Sequence, residues 1–502
     1  MSENILLTQK IPKEWEKREK LRDKGQFWTP SWVAEAMISY VSKNTSLVFD
    51  PGTGNGSFFK ALKKNHNDEK IKFYGIDIDK EILKEKIYLD PLCNVEFRDF
   101  IKNPPQKKFK SIIANPPYIR HHRIDNETKS FLKQLSKKIT GTIIDGRAGY
   151  HIYFFIQALN LLEEKGRLAF IMPADTCEGA FSGNLWNWVT KNYCLECVVT
   201  FDRYATPFPA IDTNAIIFLI KKDIPKEDII WVRVNKLDPK ELYNFISSDF
   251  KQEKLKTLSI TKRSLKEALD TGLSRPKQSD NNFKYHLSDF ASVMRGIATG
   301  GNEFFFLTKE KAKELEIPER FLKLAIGRTK DISGKIITKN EIKELEKRGR
   351  PTFILSIDKK DEYLPKAILD YLEKGVRLGL PNRALIKQRK PWFKMEKREV
   401  PLLLFAYLGR RNFRFIKNEA DIIPLTSFLC VYPKRNDKIY VNVLWEILNH
   451  PDTLKNLHLV GKSYGSGAIK VEPRSLEKLP IPEHLVEESL LKLGQVKLNT
   501  FI

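Results

Sequence analysis

The chain has 502 residues, 41% of them hydrophobic and 30% charged, the balance of a folded soluble protein and too long for one ordinary core, so two or three domains are expected. No apolar run approaches the ~18 residues of a membrane helix. The charged segment Met1 to Lys20 lacks the apolar core of a signal peptide, so no membrane partner and a cytoplasmic location are expected. The formal net charge is +24 and is unevenly spread. Residues 1–240 carry 38 Lys and Arg against 30 Asp and Glu, and residues 241–502 carry the remaining 49 against 33. Such a surplus is the footprint of a polyanion binder, although solvated lysine-rich helix faces give the same total.

In chain order, Ser31 to Val41 has apolar residues at helical spacing and predicts a helix. Leu47-Val48-Phe49 reads as a short buried strand ending at Asp50 and a glycine loop. Phe73 to Ile76 ends in the same way at Asp77, and Ser111 to Ala114 ends at Asn115. His151 to Leu162 predicts a helix, Glu163 to Gly166 a turn, and Arg167 to Met172 and Asn214 to Ile220 two further strands. Strands alternating with helices imply an α/β, mostly parallel sheet with helices on both faces. The stretch Pro225 to Pro239 is charged and punctuated by proline, which predicts a first domain over residues 1–235 and a second over 240–502. The second has mixed helix and strand signals and no obvious catalytic cluster. The five cysteines include one C-x-x-C, Cys194 and Cys197, with no second pair. A closed zinc site needs four ligands, so both read as structural and no metal is expected.

Ligands of such sheets bind beyond the carboxyl ends of the strands, where Asp50, Asp77 and Asn115 all fall. The run Asp50-Pro-Gly52-Thr-Gly54-Asn-Gly56 lets backbone come close to a ligand, but it is not the dinucleotide fingerprint. An acid at Asp77 can accept both hydroxyls of a ribose. Asp99 offers an acceptor to an adenine amino group, and Phe100 a ring to stack on it. Each acid taken singly is also a common helix cap; the three together point to a nucleoside-type cofactor.

Asn115-Pro116-Pro117-Tyr118 carries the sharpest chemistry. Two prolines fix the backbone and remove two N–H donors, leaving a stiff loop that presents the Asn115 side chain, the Pro116 carbonyl and the Tyr118 ring. The exocyclic amino group of adenine is a poor nucleophile because its lone pair is delocalised. Two acceptors on its two hydrogens, the Asn115 side-chain oxygen and the Pro116 carbonyl, draw it toward tetrahedral geometry by positioning and fixed dipoles alone. Tyr118 would stack on the substrate ring.

The order Gly25-Gln-Phe-Trp-Thr29-Pro30, the loop from Asp50 to Phe58, Asp77, Asp99-Phe100 and Asn115 to Tyr118 resembles the gamma class of N6-adenine DNA methyltransferases, the Taq-type group. The resemblance covers residues 20–225. It implies a Rossmann-like S-adenosylmethionine-dependent methyltransferase domain followed by an α+β target-recognition domain that binds double-stranded DNA. It also implies Thr29 as a cofactor contact and Phe208, of Phe208-Pro209, as a ring opposing Tyr118 on a flipped base. By the same analogy the chain acts as a monomer and has a separate cognate restriction endonuclease. Asp50 and Asp77 stand where several family members have glutamate. The segment Arg120 to Tyr150 is longer and more basic than the minimal pattern and reads as a DNA-contacting loop. In the second domain, Gly296 to Asn302 and Lys462 to Gly467 look like glycine-rich recognition segments. Lys387 to Arg398 interleaves basic residues with Trp392 and Phe393, which suits phosphate contact. Methyltransferases of RNA amino groups or of protein glutamine share the N-P-P-Y loop and remain alternatives, as does a DNA-specificity protein with no activity.

Overall fold

The computed structural model describes Glu14 and residues 24–66, 71–179, 181–202, 205–209, 214–252, 255–276, 283–357, 363–406, 413–464 and 468–492. The chain divides into two compact units, the first running to Ser279 and also taking in Ser463–Gly467, the second comprising Asp280–Lys462 and Ala468–Ile502.

The first unit is built on a nine-stranded sheet. Its strands are β1 (Leu47–Asp50), β2 (Lys72–Asp77), β3 (Cys93–Phe97), β4 (Phe109–Ala114), β5 (Leu162–Pro173), β6 (Cys194–Phe201), β7 (Ala215–Lys221), β8 (Asp228–Val234) and β9 (Leu258–Ser264). They lie in the order β3-β2-β1-β4-β5-β7-β6-β8-β9. The first five pair in parallel. β7 is antiparallel to both β5 and β6, and β9 is antiparallel to β8. The order reverses between β1 and β4, which opens the crevice where such sheets bind ligands.

Neighbouring residues along the central strands are buried on opposite faces. Phe49, Ile112, Phe170 and Phe218 join one core cluster, and Val48, Ile113, Ala169 and Ile217 join another. A sheet covered on both faces requires apolar residues at every position, and this is why the strands read as continuous apolar runs. Helix α1 (Ser31–Val41) and helix α2 (Ser57–Asn65) serve the second cluster. Helix α3 (Asn126–Thr140), helix α4 (Tyr150–Asn160) and helix α5 (Ser182–Asn192) serve the first. Cys194 and Cys197 are buried in β6. The turn expected at Glu163 to Gly166 lies within the span of β5 as a register shift against β4, with Lys165 at φ 64°.

Two expectations need correction. The division expected between residues 235 and 240 falls inside the first unit, because β8 pairs in parallel with β6 and then receives β9 across helix α6 (Pro239–Ser247). The charged, proline-punctuated stretch contains strand β8 itself, Asp228–Val234. The basic loop expected over Arg120 to Tyr150 is largely helix. Asp125 caps α3 by accepting from the Thr128 N–H at 2.8 Å, Gly141 ends it in the left-handed conformation, and Leu132 anchors it in the core.

The second unit is α+β. Its five-stranded sheet runs Ala291–Arg295, Phe428–Pro433, Leu403–Ala406, Arg414–Asn418, Ile336–Ile337, and a four-stranded sheet runs Phe306–Leu307, Phe353–Leu355, Leu322–Ile326, Ile423–Pro424. Helix Lys438–Asn449 packs on the larger sheet, burying Tyr440, Val441 and Leu444. Among the described residues no helix is long and apolar enough to cross a membrane.

Candidate functional site

At the carboxyl ends of β1, β2 and β4 the first unit encloses a cavity of about 450 Å³. Eight residues singled out from sequence line it: Thr29, Gly52, Gly54, Asp77, Asp99, Phe100, Asn115 and Pro117. The rest of its wall includes Phe27 and Trp28, from the Gly25 to Pro30 motif, and Ile78, Asp79, Tyr150 and Phe154, to which the sequence assigned no role. Ile78 directly follows Asp77 and is 63% exposed. An isoleucine directly after a strand-end acid was the one local signal for it in the sequence.

The acids are held by backbone N–H groups. Asp50 is fully buried behind the wall; one oxygen accepts from the Gly52 N–H at 3.0 Å and the other has no partner. Burial pushes its carboxyl well above the usual carboxylate range. Asp50 therefore shapes the glycine loop from behind and does not face the cavity. Asp77 does face it. Its two oxygens accept from the N–H groups of Gly54, at 2.9 Å, and Asp79, at 2.8 Å, and burial raises its pKa against those bonds. Each carboxylate oxygen can accept more than one hydrogen bond, so the group can still accept from hydroxyls. Asp99 accepts from the N–H groups of Ile101 and Lys102 in a tight turn after β3. Asp79 is bound by Lys24 Nζ at 2.8 Å and Gln26 Nε2 at 3.0 Å, and the hydrogen bond from Lys24 holds its carboxyl below the usual range.

The segment Lys24 to Pro30 crosses the site and joins its two ends. A Cβ on Gly54, at φ 52°, would stand 2.7 Å from the ring of Trp28, so the glycine loop and Trp28 meet only because that position is bare. Gly25, at φ 62°, accepts from the Tyr118 N–H at 3.1 Å, and a Cβ there would lie 2.6 Å from that nitrogen. The amide nitrogen of Asn115 donates to the Phe27 carbonyl at 2.6 Å and to the Thr29 hydroxyl at 3.1 Å. The Asn115 side-chain oxygen is buried and has no partner.

Tyr118 and Phe208 are not part of the cavity wall. Tyr118 is 9% exposed, its hydroxyl donates to the Ile171 carbonyl at 3.0 Å, and its ring is 5.9 Å from both Phe27 and the edge-on ring of His151. Phe208 is 4% exposed and packs in the core cluster of α1. His151 is buried with neither ring nitrogen hydrogen-bonded, 3.7 Å from Asp175, and burial lowers its pKa. Pro116 is buried between Asn115 and Pro117.

In the second unit, part of the basic stretch is committed to structure. Arg389 donates to the Ala298 carbonyl at 2.6 Å, bracing the glycine-rich segment, and Trp392 packs near Phe304 and Phe305. Lys387, Lys390, Lys394 and Lys397 stay exposed. Gly465 to Gly467 lie outside the described residues.

Residues 58–208 match the Eco57I restriction-modification methylase family, and residues 267–499 match the C-terminal domain of type II methyltransferase M.Eco57I. The chain is 28% identical over 468 residues to type II methyltransferase M.AccI of Acinetobacter calcoaceticus, covering 90% of this chain and 84% of that protein. It is 23% identical over 472 residues to M.XamI of Xanthomonas campestris pv. amaranthicola, covering 91% and 85%. Among solved structures, the type IIG restriction endonuclease BpuSI resembles it in fold, with a TM-score of 0.50 and 17% identity, over 96% of this chain but only 62% of that one.

Proposed function

From a chain that carries an Eco57I-type restriction-modification methylase domain and the M.Eco57I C-terminal domain, and is homologous to type II methyltransferases, we propose an S-adenosylmethionine-dependent enzyme that methylates N6 of a flipped adenine in double-stranded DNA. The modification protects DNA from a separate cognate endonuclease. The first unit is the catalytic domain and the second the target-recognition domain, acting together as a monomer in the cytoplasm.

One observation carries the adenine reading. The Asn115 amide spends both hydrogens on Phe27 and Thr29, so its oxygen is left as a buried, unpaired acceptor at the cavity. A buried acceptor without a partner carries a desolvation penalty of roughly 1–3 kcal/mol, which an arriving amino group relieves. Asn115 Oδ1 and the Pro116 carbonyl then take the two N6 hydrogens and orient the nitrogen lone pair. Bound S-adenosylmethionine would supply an electrophilic methyl group. The cavity suits it: Asp77 faces it with acceptor capacity for ribose hydroxyls, and Gly52 and Gly54 present bare backbone. Asp99 faces the adenine end, with Phe100, Ile78 and Phe154 as apolar walls.

Stacking of the base on Tyr118 and Phe208 is part of the proposal and requires those buried rings to become accessible on DNA binding, as base extrusion into a pocket demands. The test is transfer from labelled S-adenosylmethionine to unmethylated genomic DNA, with nucleoside analysis of the product. N6-methyladenine is the expected product. Label in RNA or protein instead would overturn the substrate, and DNA binding with no transfer would overturn the enzyme.

A further inference from the structure

A primary amide has two hydrogens and one oxygen, and its two ends are easily exchanged by a half-turn of the side chain. Which end faces a substrate is set by what holds the other end. At Asn115 the holder is the Lys24 to Pro30 segment, more than eighty residues earlier in the chain. The Phe27 carbonyl lies 2.6 Å from Nδ2, and a carbonyl can only accept. A half-turn of the amide would set two acceptor oxygens at that distance. The Thr29 hydroxyl takes the second amide hydrogen at 3.1 Å, and Thr29 is itself 3% exposed, with little room to turn away.

The segment cannot drift from the amide, because it is tied on both sides. Gly25 accepts from the Tyr118 N–H, Lys24 and Gln26 hold Asp79, and Trp28 lies against Gly54. The prolines at 116 and 117 contribute no N–H of their own, so the loop has few internal means of fixing its side chain.

We infer that Thr29, with the Phe27 carbonyl, is a positioning residue that locks the Asn115 amide with its oxygen toward the substrate, and that its hydroxyl acts through Asn115 rather than as a cofactor ligand. The inference rests on the reading of Asn115 as the amino-group acceptor. With the lock in place, the Asn115 end of the site presents an acceptor and is set for a group that donates hydrogens before that group arrives. Preorganisation of this kind acts on the rate of the chemical step and leaves cofactor affinity alone.

The experiment uses the full chain as wild type, Thr29→Val and Thr29→Ser. S-adenosylmethionine affinity is measured by equilibrium dialysis, and single-turnover methyl transfer to unmethylated genomic DNA is measured at saturating cofactor. Valine keeps the shape and loses the acceptor, and serine keeps the acceptor. Thr29→Val is expected to slow transfer about tenfold, the scale of one hydrogen bond to a buried amide, with cofactor affinity within about twofold of wild type. Thr29→Ser is expected to restore most of the rate. Weakened cofactor binding with an unchanged saturated rate in Thr29→Val would make Thr29 a cofactor contact and overturn the inference. Equal losses in both variants, or none in either, would also overturn it. A wild-type chain that transfers no methyl group to DNA would instead remove the reading on which the inference stands.

Discussion

The two ends of the cavity are built with opposite polarity. At the end formed by β1 and β2, carboxylates are held by donors: Gly52 donates to Asp50, and Gly54 and Asp79 donate to Asp77. At the end formed by β4, an amide is saturated by acceptors, the Phe27 carbonyl and the Thr29 hydroxyl. The first end therefore keeps a fixed acid whose spare lone pairs suit hydroxyls. The second keeps a bare oxygen that suits an amino group. The same economy governs both, since a buried polar group is reliable only when its remaining valences are already used. The difference teaches that the chemistry of each end is decided by its partners as much as by the residue itself.

Breaking the amide end should have the largest effect. Asn115→Ala removes the bare acceptor, and methyl transfer should fall at least about 100-fold, the usual cost of deleting one preorganised polar group at a reacting centre. S-adenosylmethionine affinity by equilibrium dialysis should change little; joint loss of both would contradict the separation of the two ends. Tyr118→Ala should lower kcat/KM for DNA by ~1–3 kcal/mol, the scale of base–aromatic stacking. Tyr118→Phe, which loses only the bond to Ile171, should stay close to wild type. An unchanged kcat/KM in Tyr118→Ala would remove the ring from base binding.

Gly25→Ala tests the tie between the ends. The left-handed conformation alone costs a non-glycine residue ~1–2 kcal/mol, and the added carbon meets the Tyr118 nitrogen. Methyl transfer should drop with Asn115 still present, and thermal unfolding should come earlier.

Asp50→Asn sharpens the acid end and should have the smallest effect. The folded protein holds the Asp50 proton more tightly than the unfolded chain does, so wild-type stability falls as pH rises from the ordinary carboxylate range toward the raised folded pKa. The asparagine variant has no such loss and can still accept from the Gly52 N–H. Its melting temperature should match wild type near pH 4 and exceed it at pH 8, with the gap opening as pH rises. A gap that narrows with rising pH would mean that the carboxylate is stabilised where it lies.

The chain itself determined the parts of this molecule that depend on near neighbours in sequence. Apolar runs ending in Asp50, Asp77 and Asn115 marked the strands and their ligand-facing ends. Glycine density marked the loop at Gly52 and Gly54, and two prolines marked the stiff turn at Asn115 to Tyr118. Each of these is written within a few residues, where backbone freedom and burial period speak directly. Tertiary structure decided what depends on residues far apart. It attached β8 and β9 to the first sheet, where proline and charge had suggested a boundary. It buried Asp50, Tyr118 and Phe208, brought Lys24 and Gln26 to Asp79, and set the Phe27 carbonyl against an amide 88 residues later. A backbone carbonyl carries no sequence signature, and an amide's orientation follows from its surroundings alone, so the lock on Asn115 becomes legible only once the chain has folded around it.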